Sequence, residues 1–176
     1  LKAEPKKAVA RIAADSKYWL WINGKLVVRE GGVKRGPNPD DTYYDNVDLA
    51  PYLSKGSNLF SVLVWYYGRQ GFSYKMSGQA GLFIDCSTDN GEQIVTDNTW
   101  KARLHPAHYN TSTPQANWRL PESNIGFDAR RDIIGWENVE QTAWHNAIDK
   151  GTEGAAPWNR LHHRMIPLWK DFGLHN

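Results

Sequence analysis

The dipeptide Asn23-Gly24 constrains this chain more than any other feature. It separates Tyr18-Trp19-Leu20-Trp21-Ile22 from Lys25-Leu26-Val27-Val28, two runs rich in aromatic and β-branched residues. Asn-Gly readily supplies the two positive φ angles of a type I′ turn, whose twist matches paired strands. A β-hairpin with its tip at Asn23-Gly24 follows. The flanking sequence extends the β pattern. Ala8 to Ala14 alternates as a strand with one wetter face, and Leu59 to Tyr67 (LFSVLVWYY) has too few polar residues to be half exposed, which predicts a central strand. A second hairpin is predicted where Gly81–Cys86 turns through Thr88-Asp89-Asn90-Gly91 into Gln93-Ile94-Val95.

Between these segments, residues 30–48 are rich in Gly, Pro, Asn and Asp and read as a long surface loop, followed by one helical turn in residues 47–53. After Trp100 the pattern loosens through Pro106, Pro114 and Pro121, regains short β-like pieces near Ile133-Ile134, ends in Arg164–Leu168, and offers one short helix candidate, about Val139 to Ile148. Short strands, Gly-containing hairpin turns and little helical periodicity predict an all-β fold: a β-sandwich of jelly-roll, galactose-binding-like type with few short helical turns. A length of 176 residues fits one domain, with the core sandwich at about 8–168.

Composition narrows the function. The single cysteine, Cys86, rules out an internal disulfide and a Cys-based metal cluster, and reads as a packed thiol. With 21 basic and 19 acidic residues and no basic run longer than a pair, the chain lacks the concentrated charge that nucleic acid requires. No apolar stretch approaches the roughly 20 residues of a membrane span. Nine Trp, eight Tyr and five Phe stand out in a chain of mean hydropathy -0.64. Such rings suit sheet cores, and they also suit sugar platforms.

The run Ile12–Asp15, then Trp21-Ile22-Asn23-Gly24-Lys25, Tyr44-Asp45, Val47-Asp48-Leu49 and Gly56-Ser57-Asn58 leading to Val64-Trp65-Tyr66-Tyr67-Gly68 resembles the sugar-binding-like β-sandwich of large glycosidases. Glu122, Phe127-Asp128-Ala129-Arg130, Gly135-Trp136, Trp144 with Ala147, and Pro157-Trp158 to Pro167 are similar to bacterial α-L-rhamnosidases, at the N-terminal domain ahead of the catalytic barrel. One departure is Glu140-Gln141-Thr142-Ala143 before Trp144, where family members often carry a small acidic cluster. The resemblance implies that residues 1–176 are a single non-catalytic accessory domain, a fragment of a larger multidomain glycoside hydrolase of periplasmic or extracellular bacterial location. Its partners would be the adjacent catalytic and β-domains of the parent chain and rhamnose-containing glycans, with no nucleic acid and no membrane. A self-contained carbohydrate-binding module and a plain structural spacer are the alternatives.

The candidate residues follow. Trp65 and Tyr67 share one strand face and lead into Arg69; these rings read first as core packing and secondarily, with the guanidinium fork, as a grip on sugar hydroxyls, and Arg35 and Asn38 of the long loop complete that second set. Asp128 and Arg130 read as an ion pair, or as groups bound to backbone, pinning the long segment to the sandwich, and Trp136 and Trp144 as anchors onto the sandwich or groups packed against neighbouring domains. No catalytic residue and no cofactor are expected. Asp40, Asp41 and Asp45, together with Asp48, read first as turn-forming residues and secondarily as oxygen donors for a structural Ca²⁺. His105 and His108, and the adjacent His162-His163, offer no matched third ligand for zinc.

Overall fold

The predicted hairpin forms the middle of a three-stranded sheet. In the computed structural model, which describes residues 1–33, 38, 40–68, 74–111, 125–170 and 172–173, strand β2 (Lys17–Ile22) pairs antiparallel with both β3 (Lys25–Gly32) and β5 (Phe60–Trp65). The turn between β2 and β3 has Asn23 at φ 52° and Gly24 at φ 77°, as type I′ geometry demands. A five-stranded sheet faces it, in the order β12 (Leu161–His163), β4 (Thr42–Asp48), β1 (Ala8–Asp15), β6 (Gly81–Thr88) and β7 (Gln93–Val95). Two short ribbons pair β8 (Lys101–Ala102) with β11 (His145–Asn146) and β9 (His108–Asn110) with β10 (Ile125–Phe127). The architecture is an all-β sandwich with brief 3₁₀ turns at Ala50–Tyr52, Ala129–Arg131 and Trp136–Asn138.

The core lies between the sheets. Ala8, Ala10, Ile12 and Ala14 of β1 and Ile84 and Cys86 of β6 meet Tyr18, Leu20 and Ile22 of β2, with Val28, Val47 and Leu49 closing the sides. Small side chains on β1 let the sheets approach, and the period-2 alternation of β2 puts Trp19 and Trp21 on its outer face. Cys86 is buried, and burial raises its thiol pKa, as expected of an inert packed thiol.

Four expectations change. Residues 30–48 are not one loop: β3 runs to Gly32 and β4 starts at Thr42. The apolar run at 59–67 is not the central strand. Among the described residues β5 pairs with β2 alone, and its outer face is covered by the turn at Trp136–Asn138, where Ser61 Oγ donates to the Glu137 carbonyl at 3.2 Å. The helix expected at Val139–Ile148 is absent, replaced by a turn and the two residues of β11. Ile133-Ile134 lie in a turn rather than a β-like piece, with Ile134 exposed.

Candidate functional site

The chain passes from one sheet to the other through a single residue, Ser16, between β1 and β2. This corner is polar and fully buried. Ser16 N donates to the Trp65 carbonyl at 2.9 Å, Val33 N to the Ser16 carbonyl at 2.8 Å, and Tyr67 N to Ser16 Oγ at 3.1 Å. The Asp15 carboxylate accepts from Ser16 Oγ at 2.9 Å, from Ser77 N at 2.6 Å and from the Tyr74 hydroxyl. Buried polar atoms need such partners. The corner therefore fixes the direction in which Trp65 and Tyr67 leave the sheet.

A second buried polar centre ties the sheets to the C-terminal segment. Asp45, 3% exposed, accepts from the Tyr18 hydroxyl of β2 at 3.0 Å and from Gly32 N of β3 at 2.9 Å, while its other oxygen accepts from Arg164 Nε at 2.5 Å. Burial, reinforced by the Asp45 carboxylate, holds the Tyr18 hydroxyl well above its ordinary pKa. Gly31 is required beside it, since a Cβ there would come within 2.4 Å of the Tyr18 ring. A cleft of about 200 Å³ opens above Asp45 and Arg164, walled by Met165, Ile166 and Leu168.

The aromatic rings make two rows on the outer face of the three-stranded sheet. Trp19 and Trp65 stack at 6.4 Å, Trp65 meets Tyr67 edge-on at 5.3 Å, and Tyr67 meets the buried Tyr74 at 4.8 Å. Lys17 Nζ sits 5.8 Å from the Trp65 ring and 5.9 Å from the Tyr67 ring, and pairs with Glu30. In the second row Trp21 meets Trp136 edge-on at 5.4 Å, and Trp136 stacks on Trp144 at 6.5 Å. Through these contacts Trp136 and Trp144 lie against the outer face of the sheet. Trp158, 1% exposed, plays the same part on the opposite side of the molecule, over Phe83, Ala13 and Leu161, where a Cβ on Gly81 would lie 3.0 Å from its ring.

The remaining candidates disperse. Arg35 and Arg69 lie outside the described residues, as do Trp118 and Glu122. Asn38 is exposed and donates to Asp41 Oδ2 at 3.0 Å. Asp40 pairs with Lys75 at 3.6 Å, and Asp41 also meets His162 Nε2 at 3.0 Å. Hydrogen bonds from Asn38 and His162 hold the Asp41 carboxyl below its ordinary pKa. Asp45 is engaged in the interior. Among the described residues no group of three or more His, Cys, Asp and Glu side chains could hold a metal ion.

Asp128 and Arg130 do form the expected ion pair, with Arg130 Nε and Nη2 each 2.9 Å from a carboxylate oxygen. The pair spans two residues and is exposed, so it stiffens a turn rather than pinning the segment. Asp128 N continues the β9–β10 pairing by donating to the carbonyl of buried Ala107 at 2.9 Å. A cleft of about 440 Å³ lies here, lined by Tyr109, Phe127, Asp128, Arg130 and Arg131. Sequence reasoning missed this cleft, the Asp15–Ser16 corner and the Asp45 centre. Tyr18 held one signal: a tyrosine on the buried face of an alternating strand needs a partner for its hydroxyl.

Neither a protein-family model nor a curated protein matches the chain. Solved structures do. A GH78 family rhamnosidase of Bacillus sp. GL1 superposes with TM-score 0.76 at 29% identity, over 94% of this chain and 17% of that one. The chain has the fold of one domain of the GH78 α-L-rhamnosidases. An α-L-rhamnosidase from Dictyoglumus thermophilum gives TM-score 0.64 at 20% identity over 96% of this chain and 18% of its own. An α-L-rhamnosidase of Streptomyces avermitilis, in complex with L-rhamnose, gives 0.57 at 19% identity over 82% and 14%. The chain spans less than a fifth of each of these rhamnosidases.

Proposed function

We propose that this chain is a non-catalytic domain of an α-L-rhamnosidase-type glycoside hydrolase, which positions the catalytic unit of a longer parent chain or its rhamnoside substrate. The observation that carries this reading is the match of nearly all of this chain to 17% of a GH78 rhamnosidase. The distribution of apolar surface supports it. Met165, Ile166, Trp169 and Phe172 are each at least 70% exposed and follow one another along a segment whose root, Arg164, is held in the interior by Asp45. Apolar surface gathered on one held segment is the mark of an interface rather than of scattered exposure. The parent's neighbouring domains are the partners it fits.

The row Trp19, Trp65 and Tyr67 favours a second reading, a self-contained carbohydrate-binding module, because these rings are only half-buried. Calorimetric titration with L-rhamnose separates the two. The positioning domain gives no heat at millimolar sugar, and the binding module gives a saturable signal lost in Trp65→Ala. Hydrolysis of an aryl rhamnoside by this chain, lost when one carboxylate is removed, would overturn both, since glycoside cleavage needs two carboxyl groups facing across the bond.

A further inference from the structure

We infer that the cleft at Tyr109, Phe127, Arg130 and Arg131 is a binding subsite for an acidic pyranose, a uronate residue of a glycan. The cleft lies on the β9–β10 ribbon, away from the rings of β2 and β5. It is a shallow surface cleft of about 440 Å³, open to solvent on its outer side.

Three features define the ligand. The first is the pair of rings. Tyr109 is 52% exposed and Phe127 51%, although both belong to strands. Gly126, paired with Tyr109, has no side chain to lift that ring; a Cβ there would lie 2.3 Å from Tyr109 Cζ, so the ring lies across the strand beside it. Phe127 is backed by the His108 ring at 4.9 Å. Rings supported from behind and open in front present apolar faces, against which the C–H face of a pyranose packs.

The second feature is charge. Asp128 neutralises Arg130 through two hydrogen bonds, whereas no acidic side chain among the described residues pairs with Arg131. The neighbouring Asp132 carboxylate is engaged by His105 Nε2 at 3.3 Å and by Ile133 N at 2.8 Å. The lining of the cleft therefore carries one positive charge in excess. Guanidinium groups recognise carboxylates by paired charge-assisted hydrogen bonds, which a neutral sugar cannot return in kind.

The third feature is preorganisation. Both arginines stand on a capped 3₁₀ turn: Arg130 N donates to the Asp128 carboxylate at 3.2 Å, Arg131 N to the Asp128 carbonyl at 3.0 Å, and Asp128 N to the Ala107 carbonyl at 2.9 Å. The backbone under the cations is fixed before a ligand arrives, which lowers the ordering cost of binding.

The site does not depend on the domain role proposed above, and the two fail separately. The test is an amide NMR titration of the chain with methyl glucuronoside and methyl galacturonoside, alongside methyl glucoside, which lacks the carboxylate, and sodium acetate, which lacks the ring. The expected result is saturable shifts at residues 108–110 and 126–132 with at least one uronoside, an affinity about tenfold lower for the glucoside, and no saturation with acetate. Arg131→Gln, on the surface, weakens uronoside binding about tenfold with an unchanged Tm, and Tyr109→Ala weakens it similarly. Absence of saturation with both uronosides overturns the inference, as do acetate shifts equal to the uronoside's or an Arg131→Gln variant that binds as tightly as the parent.

Discussion

Replacing Asp45 by alanine removes the acceptor for Tyr18, Gly32 and Arg164 at one stroke, and it leaves the Arg164 guanidinium largely buried without its carboxylate. Breaking a buried pair in this way costs about 3–5 kcal/mol, far more than the pair itself contributes. Urea unfolding of Asp45→Ala should show that loss as a lower midpoint. At the same scale, His108 makes stability depend on pH. Burial, aided by the nearby His105 and opposed by Asp132, lowers its pKa below the ordinary imidazole value of about 6.5. The unfolded chain then binds more protons than the native one in the window below that value. The His108 contribution is complete above about pH 6.5 and is lost as pH falls through the depressed native pKa. Urea midpoints at pH 7 and pH 5 should differ in that direction, and His108→Phe should flatten this part of the dependence.

The elements show where pattern and structure part. Both hairpins were legible because their turns are written in residues whose backbone preferences are local: Asn23-Gly24 for the first, and Asn90-Gly91, with Gly91 at φ 79°, for the second. Gly24→Ala forces a left-handed conformation on a residue with a side chain and should cost about 1–2 kcal/mol, measured as a fall in Tm. Strand β4 was hidden because its buried positions include Thr42 and Asp45, polar residues on opposite faces that produce no alternating apolar signal. Strand β5 misled in the opposite sense. It is apolar on both faces because the turn at Trp136–Asn138 covers it, not because strands flank it on both sides. Trp136→Ala should therefore free the segment around residues 136–147, seen as new proteolytic cleavage there, at a stability cost of about 2–4 kcal/mol for a half-buried ring.

For the whole molecule, the tryptophans divide by task. Trp158 closes the outer side of the five-stranded sheet, helped by the Arg11–Asp85 cross-strand pair and by Arg11 reaching Glu153 at 2.7 Å. Trp158→Ala should cost about 3–5 kcal/mol, because the rigid strands beneath cannot collapse into the space it leaves. The C-terminal segment is the reverse case, apolar and uncovered. Met165→Asp with Ile166→Asp should leave Tm unchanged in thermal unfolding, since these exposed side chains support little of the fold.

Taken by itself, the order of residues determined what depends on neighbours along the chain: the β class, the two hairpin turns, the alternation that buries Tyr18, Leu20 and Ile22, the local Asp128–Arg130 pair, and a likeness to rhamnosidase sandwiches. It did not determine which carboxylate meets which cation across 119 positions, as Asp45 and Arg164 do, or that Asp40, Asp41 and Asp45 turn to separate partners. Nor did it show that Tyr109 and Phe127 share a cleft with Arg131. Those outcomes depend on how two sheets and the long C-terminal segment pack. A contact between distant segments is chosen by shape and burial in three dimensions, and spacing along the chain carries little record of it.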